Sequence, residues 1–253
     1  MRFQKLKTLK GKYQNTVKKI EIRKMIRTSL IDWEGMIVST LYVGGCNFRC
    51  PFCYNTDLVI KPNSLPVISK NKVLSFLIER KSILDGICLS GGEPTLYSDL
   101  TSFLKQIKSC GFRIKIDTNG SNSGRIKEII EQDLVDYIAM DVKNCFKNDA
   151  YTNTIGINDE QAIKEVKNSI GLLINSDIDY EFRTTVIPVF HDTEIIENIA
   201  REIKGAKKYI LQNFIKSEQM LDPRLKDVKA YSEEKMKDIV KRVKPYVQEC
   251  RIR

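Results

Sequence analysis

The sequence predicts an α/β protein built as a partial (β/α)6 barrel. Three observations predict it. From about residue 36 onward, short apolar runs alternate with helical patterns, and such alternation implies parallel strands joined by right-handed crossovers. The units number six, too few for a closed eight-unit barrel. The polar motifs fall, one after another, at the carboxyl ends of the predicted strands, where parallel α/β folds keep their sites.

The elements follow in order. Residues 36–43, MIVSTLYV, are β-branched and aromatic and read as a buried strand stopped by Gly44 and Gly45. A helix over 71–83 leads to a strand over 86–89, which runs into the turn Ser90-Gly91-Gly92-Glu93-Pro94. The helix over 99–109 closes at Gly111. Residues 112–116 alternate as a strand and end in a turn cluster at 117–120. A helix over 124–132 and a strand over 135–142 come next. The helix over 159–173 carries Ile163, Val166, Ile170 and Leu173 on one face. A strand over 180–188, a helix over 192–203, a strand over 208–214 and a helix over 231–243, stopped by Pro245, complete the pattern.

Charge divides the chain. Its net charge is +10, yet residues 1–27 hold ten Lys or Arg against one acid, Glu21, while the remainder is near neutral with 32 basic and 31 acidic residues. The division predicts a basic N-terminal arm over 1–27 and a single domain over 28–253. The arm reads as a solvated extension able to meet an acidic protein surface; nucleic acid is not expected as a partner. Lysine richness and scarce serine argue against a transit peptide. No run approaches the ~18 uninterrupted apolar residues of a membrane span, so no membrane association and a cytoplasmic location are expected. Seven cysteines, an odd number in a chain of 253 residues, argue against a disulfide framework.

Three of those cysteines crowd into Gly45-Cys46-Asn47-Phe48-Arg49-Cys50-Pro51-Phe52-Cys53-Tyr54, a loop after the first predicted strand. Thiolates at this density suit a soft metal or an iron–sulfur cluster. A structural zinc site needs four ligands. The single histidine, His191, is distant, and Cys88, Cys110, Cys145 and Cys250 are scattered. Three thiolates on a cubane of four irons leave one iron open, and catalysis requires an open position.

The CxxxCxxC loop with an aromatic before its third cysteine resembles the radical SAM enzymes, and the glycine-rich turn after the second strand matches their pattern. The resemblance implies a partial barrel of the radical SAM type. It implies a [4Fe–4S] cluster on Cys46, Cys50 and Cys53, and S-adenosylmethionine as cosubstrate. Gly91, Gly92 and Glu93 then meet its amino group, and Phe52 and Tyr54 touch its adenine. Asp117-Thr118-Asn119-Gly120 and Met140-Asp141-Val142-Lys143 resemble the DTNG and D-x-K stretches of the activating enzymes of glycyl radical enzymes. By that resemblance Asp141 and Lys143 bind the cosubstrate. Asp117 and Thr118 are weaker candidates, beside a monovalent cation, and Arg183 and Gln212 line the same site. No side chain is assigned a catalytic role, because the cofactor carries the radical chemistry.

Residues 28–35, TSLIDWEG, and the LQNF stretch at 211–214 resemble the subgroup that activates anaerobic ribonucleotide reductase, with Glu34 where that pattern has proline. A large glycyl radical enzyme is the expected partner, with a flavodoxin or ferredoxin as electron donor. The competing expectations are a small-molecule radical SAM enzyme of the 7-carboxy-7-deazaguanine synthase kind, an activase of another glycyl radical enzyme such as pyruvate formate-lyase, and a non-enzymatic electron carrier. Without a cysteine-rich insertion between Cys53 and the glycine turn, one cluster is expected.

Overall fold

A computed structural model describes residues 19–253. Eight strands form one sheet in strict chain order: β1 (Ile22–Ser29), β2 (Val38–Val43), β3 (Gly86–Gly91), β4 (Arg113–Thr118), β5 (Tyr137–Asp141), β6 (Asp179–Val186), β7 (Tyr209–Asn213) and β8 (Cys250–Ile252). All pairings from β2 to β8 are parallel, and β1 runs antiparallel to β2 at the edge. The six predicted strands are β2 to β7. Sequential parallel order curls the sheet one way, with helices outside and a polar interior, as in an incomplete barrel.

Helices α2 (Lys70–Glu79), α3 (Leu100–Ser109), α4 (Ser123–Glu131), α6 (Glu160–Ile174), α7 (Thr193–Glu202) and α8 (Glu233–Val243) cover the outer face. Each buries a stripe at helical spacing, such as Phe103, Leu104 and Ile107 on α3 or Val166, Ile170 and Leu173 on α6. Ser69, Asn122, Asp159, Asp192 and Ser232 cap five of them, each side chain accepting an N–H of the first turn. Short helices α1 (Thr56–Ile60) and α5 (Ala150–Ile155), neither foreseen, sit in the loops after β2 and β5.

Two strands were hidden by charge. The sequence IRKMIRTS of β1 reads as part of the basic arm, yet the strand straddles the division drawn at residues 27 and 28. Edge strands tolerate such charges because one face stays wet. Here the aliphatic stems also pack: the Lys24 ammonium lies over Tyr42 and the Arg27 guanidinium over Phe76. The arm's residues 1–18 lie outside the described residues. β8 lies in the basic C-terminal segment and pairs with β7 along its three residues.

The hairpin between β1 and β2 turns inward. Trp33 is buried inside the barrel against Val38 and Cys88, with Tyr137 packed beside them. This plug closes the amino end of the strands, and the polar cavity opens at the carboxyl end. Among the described residues, no helix is long and apolar enough to cross a membrane.

Candidate active site

The cysteine loop leaves β2 at Val43 and is held by backbone bonds to three other segments and one within itself. Gly45 N–H donates to Leu58 of α1, Arg49 N–H to Ile155 of α5, Asp222 N–H to Pro51, and Cys53 N–H to Cys50. Arg49 turns its guanidinium inward onto the carbonyls of Cys46 and Phe48, at 2.6 and 2.8 Å. The three thiols therefore sit on a rigid segment. Cys46 and Cys50 are buried and Cys53 is partly open. The Cys46 Sγ accepts from Phe48 N–H at 3.4 Å and from Asn119 Nδ2 at 3.7 Å. Burial pushes the Cys50 thiol up to about 12, against the pull of Lys143, so the free loop holds neutral thiols that lose protons on metal binding.

The glycine turn after β3 lies directly over this loop. Gly92 N–H donates to Val43 and Glu93 N–H to Gly45, both at 2.9 Å, which prolongs the β2–β3 pairing into the cysteine loop. A Cβ on Gly92 would collide with the Gly45 carbonyl, and Gly91 holds φ +117°, a left-handed conformation suited to glycine. The first demand on these glycines is thus close approach of two chain segments. Glu93 is wholly buried, and its carboxylate accepts from Thr95 N–H, Thr95 Oγ1, Thr118 Oγ1 and Asn119 N–H at 2.7–3.0 Å. It ties the glycine turn to the DTNG turn. Asn119 carries the link on, donating to Asn47 Oδ1 at 3.0 Å.

Across the barrel interior runs a ladder of alternating charge. Lys115 Nζ lies 3.3 Å from Asp117 Oδ1, and Arg183 Nη1 lies 3.2 Å from the same oxygen. Arg183 Nε meets Asp141 Oδ1 at 2.8 Å, and Asp141 Oδ2 meets Lys143 Nζ at 2.7 Å. Strand pairing dictates the order, since Asp117 lies opposite Ala139 and Asp141 opposite Arg183. Burial alone would raise the Asp141 carboxyl, but Arg183 and Lys143 outweigh it and hold it at about 2. The ladder's open end presents an ammonium, a guanidinium and a carboxylate together, which suits a zwitterion.

All fourteen predicted site residues line one cavity of about 480 Å³. The sequence reading missed Asp32, Tyr42, Asn55, Ser90, Asn119, Thr185, Asn213 and Arg253 in its wall. Strand alternation points to one of them, because Thr185 follows Arg183 by two residues on the same face. Phe52 is buried against Phe190, ring centroids 6.0 Å apart. Tyr54 is anchored through its hydroxyl, which donates to the Ile215 carbonyl at 2.7 Å and accepts from Ile215 N–H at 3.1 Å.

His191 is buried behind Lys143. Burial lowers its pKa to about 4, beyond what its backbone hydrogen bonds restore. The unfolded chain, with a histidine near 6.5, binds that proton earlier. The contribution is therefore complete above pH 6.5 and is lost as pH falls toward 4. Between pH 7 and pH 5 the folded state should lose about 2 kcal/mol from this group. Urea midpoints for the protein and for His191→Gln should show this loss in the first and its absence in the second.

The residues fit an iron–sulfur cluster better than a single ion. Among the described residues no three His, Cys, Asp or Glu side chains converge on one metal position, yet three thiols face one cavity and two N–H groups point at Cys46. The buried Asn213 Oδ1 in the same wall has no hydrogen-bond partner.

Residues 40–204 match the model of the Radical SAM superfamily. A Methanocaldococcus jannaschii protein assigned as a glycyl-radical enzyme activating enzyme is 31% identical over 235 residues, 90% of this chain and 94% of its own. The pyruvate formate-lyase-activating enzyme of Clostridium pasteurianum is 27% identical over 237 residues, 87% of this chain and 94% of its own. Among solved structures, a radical SAM methyltransferase from Sphaerobacter thermophilus superposes with TM-score 0.64 over 85% of this chain and 66% of its own, at 14% identity. SuiB from Streptococcus suis superposes with TM-score 0.62 over 83% of this chain, which spans 47% of that protein, at 13% identity. These two likenesses speak to the fold alone. The chain belongs to the radical SAM superfamily, in the group of glycyl-radical enzyme activating enzymes. It is an enzyme that uses a [4Fe–4S] cluster and S-adenosylmethionine.

Proposed function

We propose that the protein generates a glycyl radical on a large partner enzyme, of the anaerobic ribonucleotide reductase kind. Similarity along nearly the whole chain to the M. jannaschii protein carries this reading. The resemblance of residues 28–35 and 211–214 selects the partner. Cys46, Cys50 and Cys53 would hold the cluster. When bound and reduced by a flavodoxin or ferredoxin, the cluster supplies the electron that splits S-adenosylmethionine into methionine and a 5′-deoxyadenosyl radical. Lys143 and Arg183 would take the cosubstrate carboxylate, steadied by Asp141, and the Gly91–Glu93 turn would take its ammonium, fixing the reacting end against the cysteine loop. Gly91 and Gly92 leave room for that end, and Gln212 and Thr185 would bound the ribose. Phe52 and Tyr54 would shield the adenine side from water. A monovalent cation near Asp117 and Thr118 would share the Asp117 and Asp141 carboxylates with Arg183. The partner's glycine suits the reaction because no side chain blocks approach to its Cα.

The test is EPR on the reconstituted enzyme mixed with a candidate glycyl radical protein, S-adenosylmethionine and reductant. A doublet on anaerobic ribonucleotide reductase supports the reading. A doublet on pyruvate formate-lyase alone changes the partner. Turnover of a pterin with no doublet would sink activation in favour of small-molecule chemistry; a 97-residue stretch is 31% identical to the 7-carboxy-7-deazaguanine synthase of Aquifex aeolicus. Within the site, Asp141→Asn should raise KM for S-adenosylmethionine on the order of tenfold, read by 5′-deoxyadenosine formation.

A further inference from the structure

The β5 strand leaves the sheet just past Asp141. Val142 is still held, its N–H donating to the Arg183 carbonyl at 2.8 Å and its carbonyl accepting from Thr184 Oγ1 at 2.7 Å. The next carbonyl, that of Lys143, reaches the His191 imidazole instead, with Nε2 at 2.8 Å. Ile187 N–H donates to Nδ1 at 3.0 Å. Because a backbone N–H occupies Nδ1, the ring proton is assigned to Nε2, and the Lys143 carbonyl accepts it. Both ring nitrogens are thereby used, and the ring is buried. The imidazole is a strut between the loop after β5 and the loop after β6.

Neighbouring contacts brace the same joint. Tyr231 Oη donates to the His191 carbonyl at 2.9 Å, and Asn144 Nδ2 donates to Thr154 Oγ1 at 2.8 Å and to the Phe190 carbonyl at 3.3 Å. Phe190 packs on Phe52, between two cluster cysteines in sequence, and the Lys143 ammonium stands 5.8 Å from the centre of the Phe52 ring. One joint therefore touches both the charged ladder and the cysteine loop.

We propose that His191 is a positioning residue of the cosubstrate site: its Nε2–H fixes the Lys143 carbonyl, and the loop it closes seats Phe190 against Phe52. It touches no reacting atom. A displacement of about 1 Å at Lys143 would misplace its ammonium against Asp141 and the bound zwitterion. The inference rests on Asp141, Lys143 and Arg183 receiving the cosubstrate.

Two substitutions separate the ends of the strut. In His191→Gln the amide nitrogen reaches the Nε2 position and restores the bond to Lys143. In His191→Asn the amide reaches only the Nδ1 position, which keeps the Ile187 contact and leaves the Lys143 carbonyl unpaired. Asp141→Asn is the reference. The Asn variant should raise KM for S-adenosylmethionine roughly tenfold with kcat changed less, and the Gln variant should stay within about threefold of the parent. In cluster-free protein, amide exchange over residues 143–145 should be faster in the Asn variant than in the Gln variant. The chain's single histidine also gives one imidazole nitrogen pair by NMR, expected as the Nε2–H tautomer. Parental KM and exchange in both variants, an Nδ1–H tautomer, or equal losses in both with reduced iron content would each overturn the inference. An unchanged KM in Asp141→Asn would instead overturn the site assignment beneath it.

Discussion

Cys50→Ser is expected to abolish cluster assembly while leaving the fold in place. Serine is nearly isosteric with cysteine, but its hydroxyl is a hard, high-pKa group that binds iron–sulfur clusters poorly. After anaerobic reconstitution, iron should fall from about four atoms per chain to below about one. The formation of 5′-deoxyadenosine should fall on the order of a thousandfold, to background. Cys50 is buried and neutral in the free loop, so the melting temperature of cluster-free protein should change by no more than about 4 °C. Cys46→Ser and Cys53→Ser should behave alike, because removing any one thiol leaves two anchors for a cubane. Cys110→Ser is the control. That thiol lies past the end of α3, outside the cavity wall, and its loss should leave iron content unchanged. Full iron content in Cys50→Ser would overturn the ligand assignment.

Gly92→Ala is expected to cost about 3 kcal/mol, or a drop of roughly 10 °C in melting temperature, from one methyl group. The added Cβ would occupy the space of the Gly45 carbonyl, and backbone there cannot yield without breaking the Gly92–Val43 and Glu93–Gly45 hydrogen bonds. Any relief moves Cys46, the next residue. Cluster loading should therefore fall along with stability, and both are read on the same sample by calorimetry and iron analysis. Gly124→Ala makes the contrast. Its Cβ would meet only Asn122 Oδ1, at 3.9 Å, in the first turn of α4, and the change should be neutral or stabilising by up to about 1 kcal/mol. If Gly92→Ala melts with the parent and loads fully, the turn is not the clasp described above.

The two substitutions also separate two kinds of information in the chain. Cys46, Cys50 and Cys53 are legible as candidate ligands because spacing along one loop is a local property. Gly92 is legible only as a turn residue; that its lack of a side chain serves the approach of the cysteine loop depends on where β2 and β3 pair. Glu93 makes the same point. Its place in the glycine turn suggests contact with the cosubstrate; the fold adds that its carboxylate, in the cavity wall, accepts from four donors of its own turn and the DTNG turn. Trp33 stood out as part of a subgroup pattern and proves to be a plug in the barrel floor.

By itself the sequence determined the alternation of six parallel strands with helices, the cysteine loop, and the strand ends on which charge is carried. Those are set by period, composition and short spacing, all of which act within a few residues. The tertiary structure decided the rest. It recruited β1 and β8 into the sheet, since a charged segment can pair its backbone at an edge where one face still reaches water. It brought Lys115, Asp117, Arg183, Asp141 and Lys143 into one ladder, since strands laid side by side bring together residues up to 66 positions apart, as Asp117 and Arg183 are. It also turned a solitary histidine, remote from every motif, into the strut behind Lys143, because the loops after β5 and β6 meet only when their strands lie side by side.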